Sequence, residues 1–269
     1  MITNNFQNIK GLIFDYGGTI DSRGNHWANI IREGYQKAGI DINEPIFRDA
    51  YVFAERALAK TPYIKPEHNF LDLLRIKIAI ELSYIIDQGY KCENTDLNNF
   101  IQTDSYKQLI GLNKEINIYL PDQYIYFQNK ISNYCYEYAL SSVNDAIPVL
   151  DKLKQKYPIV LVSNFYGNIN SVLKDFNISS YFDSIIESAV VGIRKPNPEI
   201  FSLGVQALNL DSDRVIVIGD SYSKDIAPSE QIGCHTIWIK GSAWDDKENE
   251  IQHPFIIKEL NELIRLLNL

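Results

Sequence analysis

Apolar residues in this chain gather into a few short runs that end abruptly at polar or small residues. Four runs are clear, at residues 11–15, 158–163, 214–220 and 235–239. Runs of this length that are rich in isoleucine and valine are typical of strands buried on both faces of a parallel sheet. A fifth and less regular run at 184–191 is expected to supply another strand. The pattern therefore predicts an open parallel sheet.

Helical patterns separate these runs from about residue 145 onward. Apolar side chains recur at three- and four-residue spacing in 145–157, after Ser163 and near the C-terminus. Asn197 followed by Pro198 predicts a helix start, with asparagine as the N-cap and proline in the first helical position. Strand and helix thus alternate, which predicts a three-layer α/β core with helices on both faces of the sheet.

A long insertion with helical patterns separates the first apolar run from the second. The clearest pattern lies between residues 71 and 86, and a loop of this length without structure of its own would be unusual. We therefore predict two domains: a core formed by 1–21 and 145–269, and an all-helical domain at 22–144 that sits over the sheet. Weaker helical patterns occur at 26–38, 45–60, 96–110 and 122–142.

Composition excludes several classes of partner. The formal net charge of -8 argues against a surface for nucleic acid or anionic membrane, since either would need a basic face. No apolar run is long enough to span a membrane, and the N-terminus does not resemble a signal peptide. The three cysteines, Cys92, Cys135 and Cys234, lie far apart, as expected for reduced thiols. We therefore expect a soluble, cytoplasmic protein, either a monomer or a homodimer.

Polar residues end three of the predicted strands: Asp15, Ser163 and Asp220. Because ligands bind at the carboxyl edge of such a sheet, these side chains are expected to meet there. Two carboxylates at one edge repel each other, and a divalent cation would keep both ionised. Ligands that offer only oxygen favour magnesium. Lys195 is a candidate point charge for phosphate oxygens.

Four short motifs in this order resemble those of the haloacid dehalogenase superfamily. The first is Asp15-Tyr-Gly-Gly-Thr19, and the second is Ser163 at the end of its strand. The third is Lys195-Pro196 ahead of a helix, and the fourth is Gly219-Asp220 with Asp225 five positions further on. Each motif is weak alone, but all four occur in order on the predicted elements, and the resemblance covers the whole chain.

The resemblance implies a Rossmann-like core, a helical cap at 22–144 and a Mg²⁺-dependent reaction on a small phosphorylated substrate. Asp15 would be the nucleophile and would form an aspartyl-phosphate. Asp225 would hold a metal-bound water or orient Lys195. The implied metal contacts are the side chains of Asp15, Asp220 and Asp225 and the backbone carbonyl of Gly17. The implied phosphate contacts are Ser163, Asn164, Lys195 and Gly18, with Ser163 and Lys195 also stabilising the transition state.

Gly17 departs from the family pattern, because phosphatases of this superfamily carry a general-acid aspartate at that position. A phosphohydrolase without it would lose on the order of 10²–10⁴ in rate on poor leaving groups, and acyl phosphates would suffer least. Three other residues are candidates for supplying the proton: His26, Asp21 and His68.

Two other functions remain open from the sequence. Dehalogenases and phosphonatases of the superfamily also lack the second aspartate. The retained Asp220 counts against a dehalogenase, and a phosphonatase would need a Schiff-base lysine such as Lys60, Lys65 or Lys77. A binding protein without turnover is the third possibility, although it would have no need of a nucleophile such as Asp15.

Overall fold

The computed structural model describes residues 6–91, 97–244, 248 and 250–269. Its sheet has six strands, all parallel, in the order β3-β2-β1-β4-β5-β6. The first strand in the sequence thus lies near the centre of the sheet. The strands are β1 (Gly11–Phe14), β2 (Ile159–Ser163), β3 (Ser184–Glu187), β4 (Val215–Gly219), β5 (His235–Ile239) and β6 (Ile256–Ile257).

The four clear apolar runs are confirmed as strands, and the fifth is confirmed in part. Only its first half forms β3, and residues Ser188–Val191 turn into a short helix that ends at Gly192. β6 was not predicted, because two residues are too few to show a periodic pattern. The α/β class with a parallel, Rossmann-like sheet is confirmed.

Helices connect the strands and form most of the insertion. Asn69 caps the longest helix that lies wholly inside the insertion, and its side chain accepts the amide of Asp72 at 3.0 Å. The α-helices of the described residues are α1 (Trp27–Ala38), α2 (Glu44–Lys60), α3 (Phe70–Asp87), α4 (Leu97–Phe100), α5 (Asp104–Glu115), α6 (Asp122–Lys154), α7 (Ile169–Asp175), α8 (Ser188–Val191), α9 (Glu199–Leu208), α10 (Ala227–Gln231) and α11 (Glu262–Leu266).

The start of α9 differs by one residue from the prediction. Pro198 lies just before the helix rather than in its first turn. The side chain of Asn197 still accepts a backbone amide, that of Glu199, at 3.0 Å. Asparagine often bonds two residues ahead in this way. The predicted N-cap role of Asn197 is wrong, because Pro198 occupies the N-cap position and the helix has no side-chain cap.

The chain forms two compact units, one made of residues 1–27 and 139–269 and the other of residues 28–138. Helix α6 contributes residues to both units, so the patterns predicted at 122–142 and 145–157 belong to one continuous helix. The predicted domain boundary at 144 falls inside that helix. The assignment of 22–144 as a separate domain stays a prediction.

In the first unit, the apolar core lies between the central strands and α9. Ile13 and Val160 from neighbouring strands pack with Phe201 of the helix, and all three are buried. Burial of side chains this large contributes roughly 1.5–3 kcal/mol each. This packing holds the central strands that carry the polar residues of the sheet edge.

The described residues of the second unit are helices and turns. Its core contains a buried carboxyl, Glu81, which accepts the hydroxyl of Tyr35 at 3.2 Å. Burial raises the pKa of Glu81 to about 7. Cys135 is a buried free thiol here, as Cys234 is in the first unit, whereas Cys92 lies outside the described residues. Among the described helices none has the length and apolarity to cross a membrane.

Candidate active site

Two carboxylates meet where β1 and β4 end. Asp15 follows β1 directly, and its amide donates to the carbonyl of Ile218 in β4 at 2.9 Å. Asp220 follows β4, and its backbone carbonyl accepts the indole N–H of Trp238 at 2.7 Å. Because β1 and β4 are adjacent and parallel, their carboxyl ends bring Asp15 and Asp220 together.

Lys195 joins this pair from the loop before α9. Its Nζ lies 2.6 Å from Asp15 Oδ1 and 2.7 Å from Asp225 Oδ1, and all three side chains are buried. Asn164, the residue after β2, holds Lys195 in place. Its Oδ1 accepts the Lys195 amide at 2.9 Å, and its Nδ2 donates to the Lys195 carbonyl at 3.1 Å. The structure therefore brings together residues predicted from three separate motifs.

Burial is the largest single influence on the electrostatics of this cluster. Burial raises the pKa of Asp15 to about 6, against the opposing effect of Lys195. The pKa of Asp220 is raised well above its ordinary value by burial and then by Asp15 and Asp225. Burial alone would lower the pKa of Lys195, but the two aspartates outweigh it and the pKa is raised. The lysine therefore stays charged, whereas ionisation of Asp15 and Asp220 is disfavoured.

The donor set of this cluster fits Mg²⁺. Asp15, Asp220 and Asp225 each offer a carboxylate oxygen, and these oxygens lie within 4.8 Å of one another. The ligands are oxygen only, which is the preference of magnesium rather than zinc. A divalent cation would also offset the burial and the repulsion that together raise the pKa values of Asp15 and Asp220.

Asp225 makes contacts that suit an orienting residue. Its Oδ1 accepts from Lys195, and its Oδ2 accepts the amide of Ser221 at 3.1 Å. The sequence left two roles open for Asp225, holding a metal-bound water or orienting Lys195. The structure contains the contact that the second role requires. Direct metal binding by Asp225 stays a prediction.

The turn after Asp15 places Thr19 between the two carboxylates. Thr19 Oγ1 lies 3.2 Å from Asp15 Oδ2 and 3.4 Å from Asp220 Oδ1. Gly18 has a φ of 97°, and a Cβ there would lie 2.3 Å from the carboxyl group of Asp220. A Cβ on Gly17 would meet no atom of the described residues within 4 Å. The second glycine of the turn is therefore required sterically, and the first is not.

Two predicted phosphate contacts have other partners in this structure. The amide of Gly18 donates to Asp21 Oδ1 at 2.7 Å, so that N–H is already engaged. The side chain of Asn164 binds the backbone of Lys195, as described above, because the two loops lie side by side. Ser163 ends β2, next to the strand that leads to Asp15, and it is buried. Its role in binding phosphate stays a prediction.

The three candidates for the missing proton donor lie in different places. The carboxyl of Asp21 contacts the turn after Asp15 directly, through the amide of Gly18. The ring of His26 stacks on that of Trp244, with 5.4 Å between centroids. His68 belongs to the second unit, where its Nδ1 accepts the amide of Lys65 at 3.1 Å.

The lysines considered for Schiff-base chemistry also belong to the second unit. Lys65 forms an ion pair with Glu115. Lys77 is buried, pairs with Glu55 and lies 4.0 Å from the ring centroid of Tyr51. Lys60 is exposed at the end of α2.

Sequence reasoning assigned no role to Trp238 or Thr19. The indole of Trp238 reaches Asp220 because Trp238 pairs with Gly219 in the β4–β5 register. No pattern in the sequence reveals such a register. Thr19 belongs to the first motif, so its position in the turn was a signal that could have been used.

Comparison with known proteins decides the family. A sequence model of the haloacid dehalogenase-like hydrolases matches residues 9–233. The chain belongs to this family. The matched region includes β1 and β4 and all four motifs that carry the cluster, so the haloacid dehalogenase-like assignment and the hydrolase class rest on the sequence of the site itself.

Curated relatives of this haloacid dehalogenase-like hydrolase include a phosphatase and a nucleotidase. The chain is 30% identical over 90 residues to the glyceraldehyde 3-phosphate phosphatase of Methanocaldococcus jannaschii, covering 34% of this chain and 40% of the relative. It is 30% identical over 124 residues to the pyrimidine 5'-nucleotidase YjjG of Escherichia coli, covering 45% and 55%. The chain thus spans about half the length of the curated relatives it matches.

Solved structures share the fold over nearly the whole chain. The haloacid dehalogenase-like hydrolase YfnB of Bacillus subtilis, solved with bound magnesium, superposes with a TM-score of 0.56 at 18% identity. The match covers 97% of this chain and 99% of YfnB. Identity this low supports the fold and leaves the substrate open.

Proposed function

We propose that the chain is a magnesium-dependent phosphohydrolase that acts on a small phosphorylated metabolite through an aspartyl-phosphate on Asp15. The observation that carries the proposal is the contact of Asp15 Oδ1 with Lys195 Nζ at 2.6 Å, inside a cluster of three carboxylates. A buried nucleophile next to a fixed positive charge suits attack on an anionic phosphoryl group.

The proposed reaction has two displacements at phosphorus. A carboxylate oxygen of Asp15 forms a bond to phosphorus while the bond to the leaving-group oxygen breaks. Water then attacks the aspartyl-phosphate, which releases phosphate and restores Asp15. Lys195 and Ser163 would bind the phosphoryl oxygens as charge develops on them. Mg²⁺, held by Asp15, Asp220 and the carbonyl of Gly17, would neutralise charge on the phosphoryl group when bound.

The relatives support this proposal by their names. One is a phosphatase of glyceraldehyde 3-phosphate and another a nucleotidase of pyrimidine 5'-nucleotides. Both substrates are small phosphate monoesters. The fold neighbour YfnB was solved with magnesium, which agrees with the oxygen-only donor set here.

Gly17 bears on the class of substrate. A glycine has no side chain to protonate a leaving group, and leaving groups that are weak bases need no such proton. We therefore infer that acyl phosphates react faster than alkyl phosphates at this site.

Phosphate release from acetyl phosphate, p-nitrophenyl phosphate and a sugar phosphate tests the function. We expect magnesium-dependent release that falls in that order, and loss of release in chelator. The Asp15→Asn protein is the matched blank, measured with each substrate. Absence of magnesium-dependent release from all three would contradict the proposal and favour a binding protein without turnover. Chloride release from 2-chloroacids would instead favour a dehalogenase.

The Gly17→Asp variant tests the missing general acid. The space around Gly17 admits a side chain, and a carboxyl there could protonate the leaving group. We expect sugar-phosphate turnover to rise at least about tenfold, toward the 10²–10⁴ that general acids contribute, while acetyl phosphate turnover changes little.

Gly17→Asn is the control for this gain, because it has nearly the same size and no acidic proton. If the two variants hydrolyse the sugar phosphate equally, the extra side chain acts by something other than proton transfer. If neither exceeds the wild type, another residue already supplies the proton.

A further inference from the structure

Asp21 is a buried carboxyl directly beside the catalytic turn. Its side chain is fully enclosed, at 0% exposure. Oδ1 accepts the amide of Gly18 at 2.7 Å, and Oδ2 accepts the indole N–H of Trp27 at 3.1 Å. Trp27 is the first residue of α1. One carboxyl group therefore ties the turn that follows the nucleophile to the point where the chain enters a helix.

Both polar backbone groups of Gly18 are satisfied by residues that follow it. Its N–H donates to Asp21, and its carbonyl accepts the amide of Gly24 at 2.7 Å. At the neighbouring position, Gly17 has no side chain and open space around it. Two successive glycines lose more backbone entropy on ordering than other residues would, so a turn built from them needs contacts that hold it.

Burial of the Asp21 carboxyl group is unfavourable in itself, so we expect its hydrogen bonds to have a role. Burial raises the pKa of Asp21 to about 7, against the two hydrogen bonds that favour the carboxylate. A direct role as proton donor to substrate does not fit the geometry. The side chain is enclosed, and each carboxyl oxygen already accepts an N–H. The carboxyl therefore acts through the turn.

We propose that Asp21 is a positioning residue that holds the Gly17–Gly18 turn, and with it the Thr19 hydroxyl between Asp15 and Asp220, in the geometry needed for turnover. The effect on turnover rests on the proposed phosphohydrolase function, whereas the hydrogen bond from Gly18 to Asp21 can be tested without it. Displacement of a catalytic group by about 1 Å can lower a rate 10²-fold, which is the scale of effect expected here.

Asp21→Asn is the main variant. Its single side-chain oxygen can accept only one of the two N–H groups at a comparable position, so the turn loses part of its support. We expect kcat for acetyl phosphate to fall about 10–100-fold with KM within about threefold. Trp27→Phe is the matched variant: it keeps Asp21 and its bond to Gly18, and we expect kcat to fall less than about fivefold.

The amide of Gly18 supplies a readout besides activity. In the wild type we expect its proton resonance to lie downfield, as for an amide bonded to a carboxylate, and its hydrogen exchange to be slowed by about 10³ or more. Asp21→Asn should move the resonance upfield, and Trp27→Phe should leave it nearly in place. The wild-type measurement does not depend on whether Asp21→Asn folds.

Three results would overturn the positioning role. One is fast exchange of the Gly18 amide in the wild type. The second is a folded Asp21→Asn protein whose kcat stays within twofold of the wild type. A wild type without turnover contradicts the proposed function instead, and the Gly18 resonance still tests the contact. If the kcat of Trp27→Phe falls as far as that of Asp21→Asn, the indole rather than the Gly18 contact supports the turn. That result also overturns the positioning role.

Discussion

Turnover should fall by a factor on the order of 10⁴ or more when Asp15 is replaced by asparagine. An amide oxygen is a poor nucleophile toward phosphorus, and the substitution leaves the neighbouring groups in place. Lys195 retains its contact with Asp225, at 2.7 Å in the wild type. The measurement is magnesium-dependent phosphate release, with Asp213→Asn, an exposed aspartate of the same unit, as the matched control.

The fold should survive this substitution and gain in stability at neutral pH. Burial raises the pKa of Asp15 from 3.8 to about 6 in the folded protein, so the ionised carboxylate is disfavoured there relative to the unfolded chain. The stability that the wild type derives from the protonated form is lost as the pH rises from about 4 to 6. At pH 7 in chelator we therefore expect a melting temperature equal to or above that of the wild type. A lower melting temperature would contradict the raised pKa of Asp15. Turnover within tenfold of the wild type would contradict its proposed role as nucleophile.

The Gly18→Ala substitution is expected to lower the free energy of unfolding by about 2–4 kcal/mol. The backbone at Gly18 has a φ of 97°, and an added Cβ would lie 2.3 Å from the carboxyl of Asp220. Either the turn or Asp220 must move, so activity should also fall, on the order of 10²-fold. Chemical denaturation and phosphate release measure the two effects.

Gly17→Ala is the matched control for this substitution, one position away in the same turn. Within the part of the chain that the structure describes, the added methyl meets no atom within 4 Å. We expect its unfolding free energy to stay within about 0.5 kcal/mol of the wild type or to rise slightly, since alanine restricts the unfolded chain. Equal destabilisation by the two variants would show that the turn adopts another conformation in solution.

Topology explains why much of the site could be predicted. Asp15, Ser163 and Asp220 each follow or end an apolar run, and parallel strands bring such positions to one edge. That argument needs only the strands and their direction, and both are encoded in the apolar pattern. It requires no side-chain geometry.

The remaining features depend on register and on contacts between loops. The indole of Trp238 reaches Asp220 because the β4–β5 register places the two residues side by side. The side chain of Asn164 binds the backbone of Lys195 because their two loops are adjacent. Periodicity also cannot distinguish two helices in line from one continuous helix. For this reason the predicted domain boundary at 144 falls inside α6. Two residues, as in β6, contain no period at all.

The central position of β1 has a consequence for folding during synthesis. Gly11 pairs with Val215, so β1 cannot complete its pairing until about 200 further residues have been translated. At about 5–20 residues per second this interval is roughly 10–40 s. Residues 28–138, which form a compact unit of their own, are fully translated well before then. Asp15, the proposed nucleophile, is therefore made long before the strands around it can assemble.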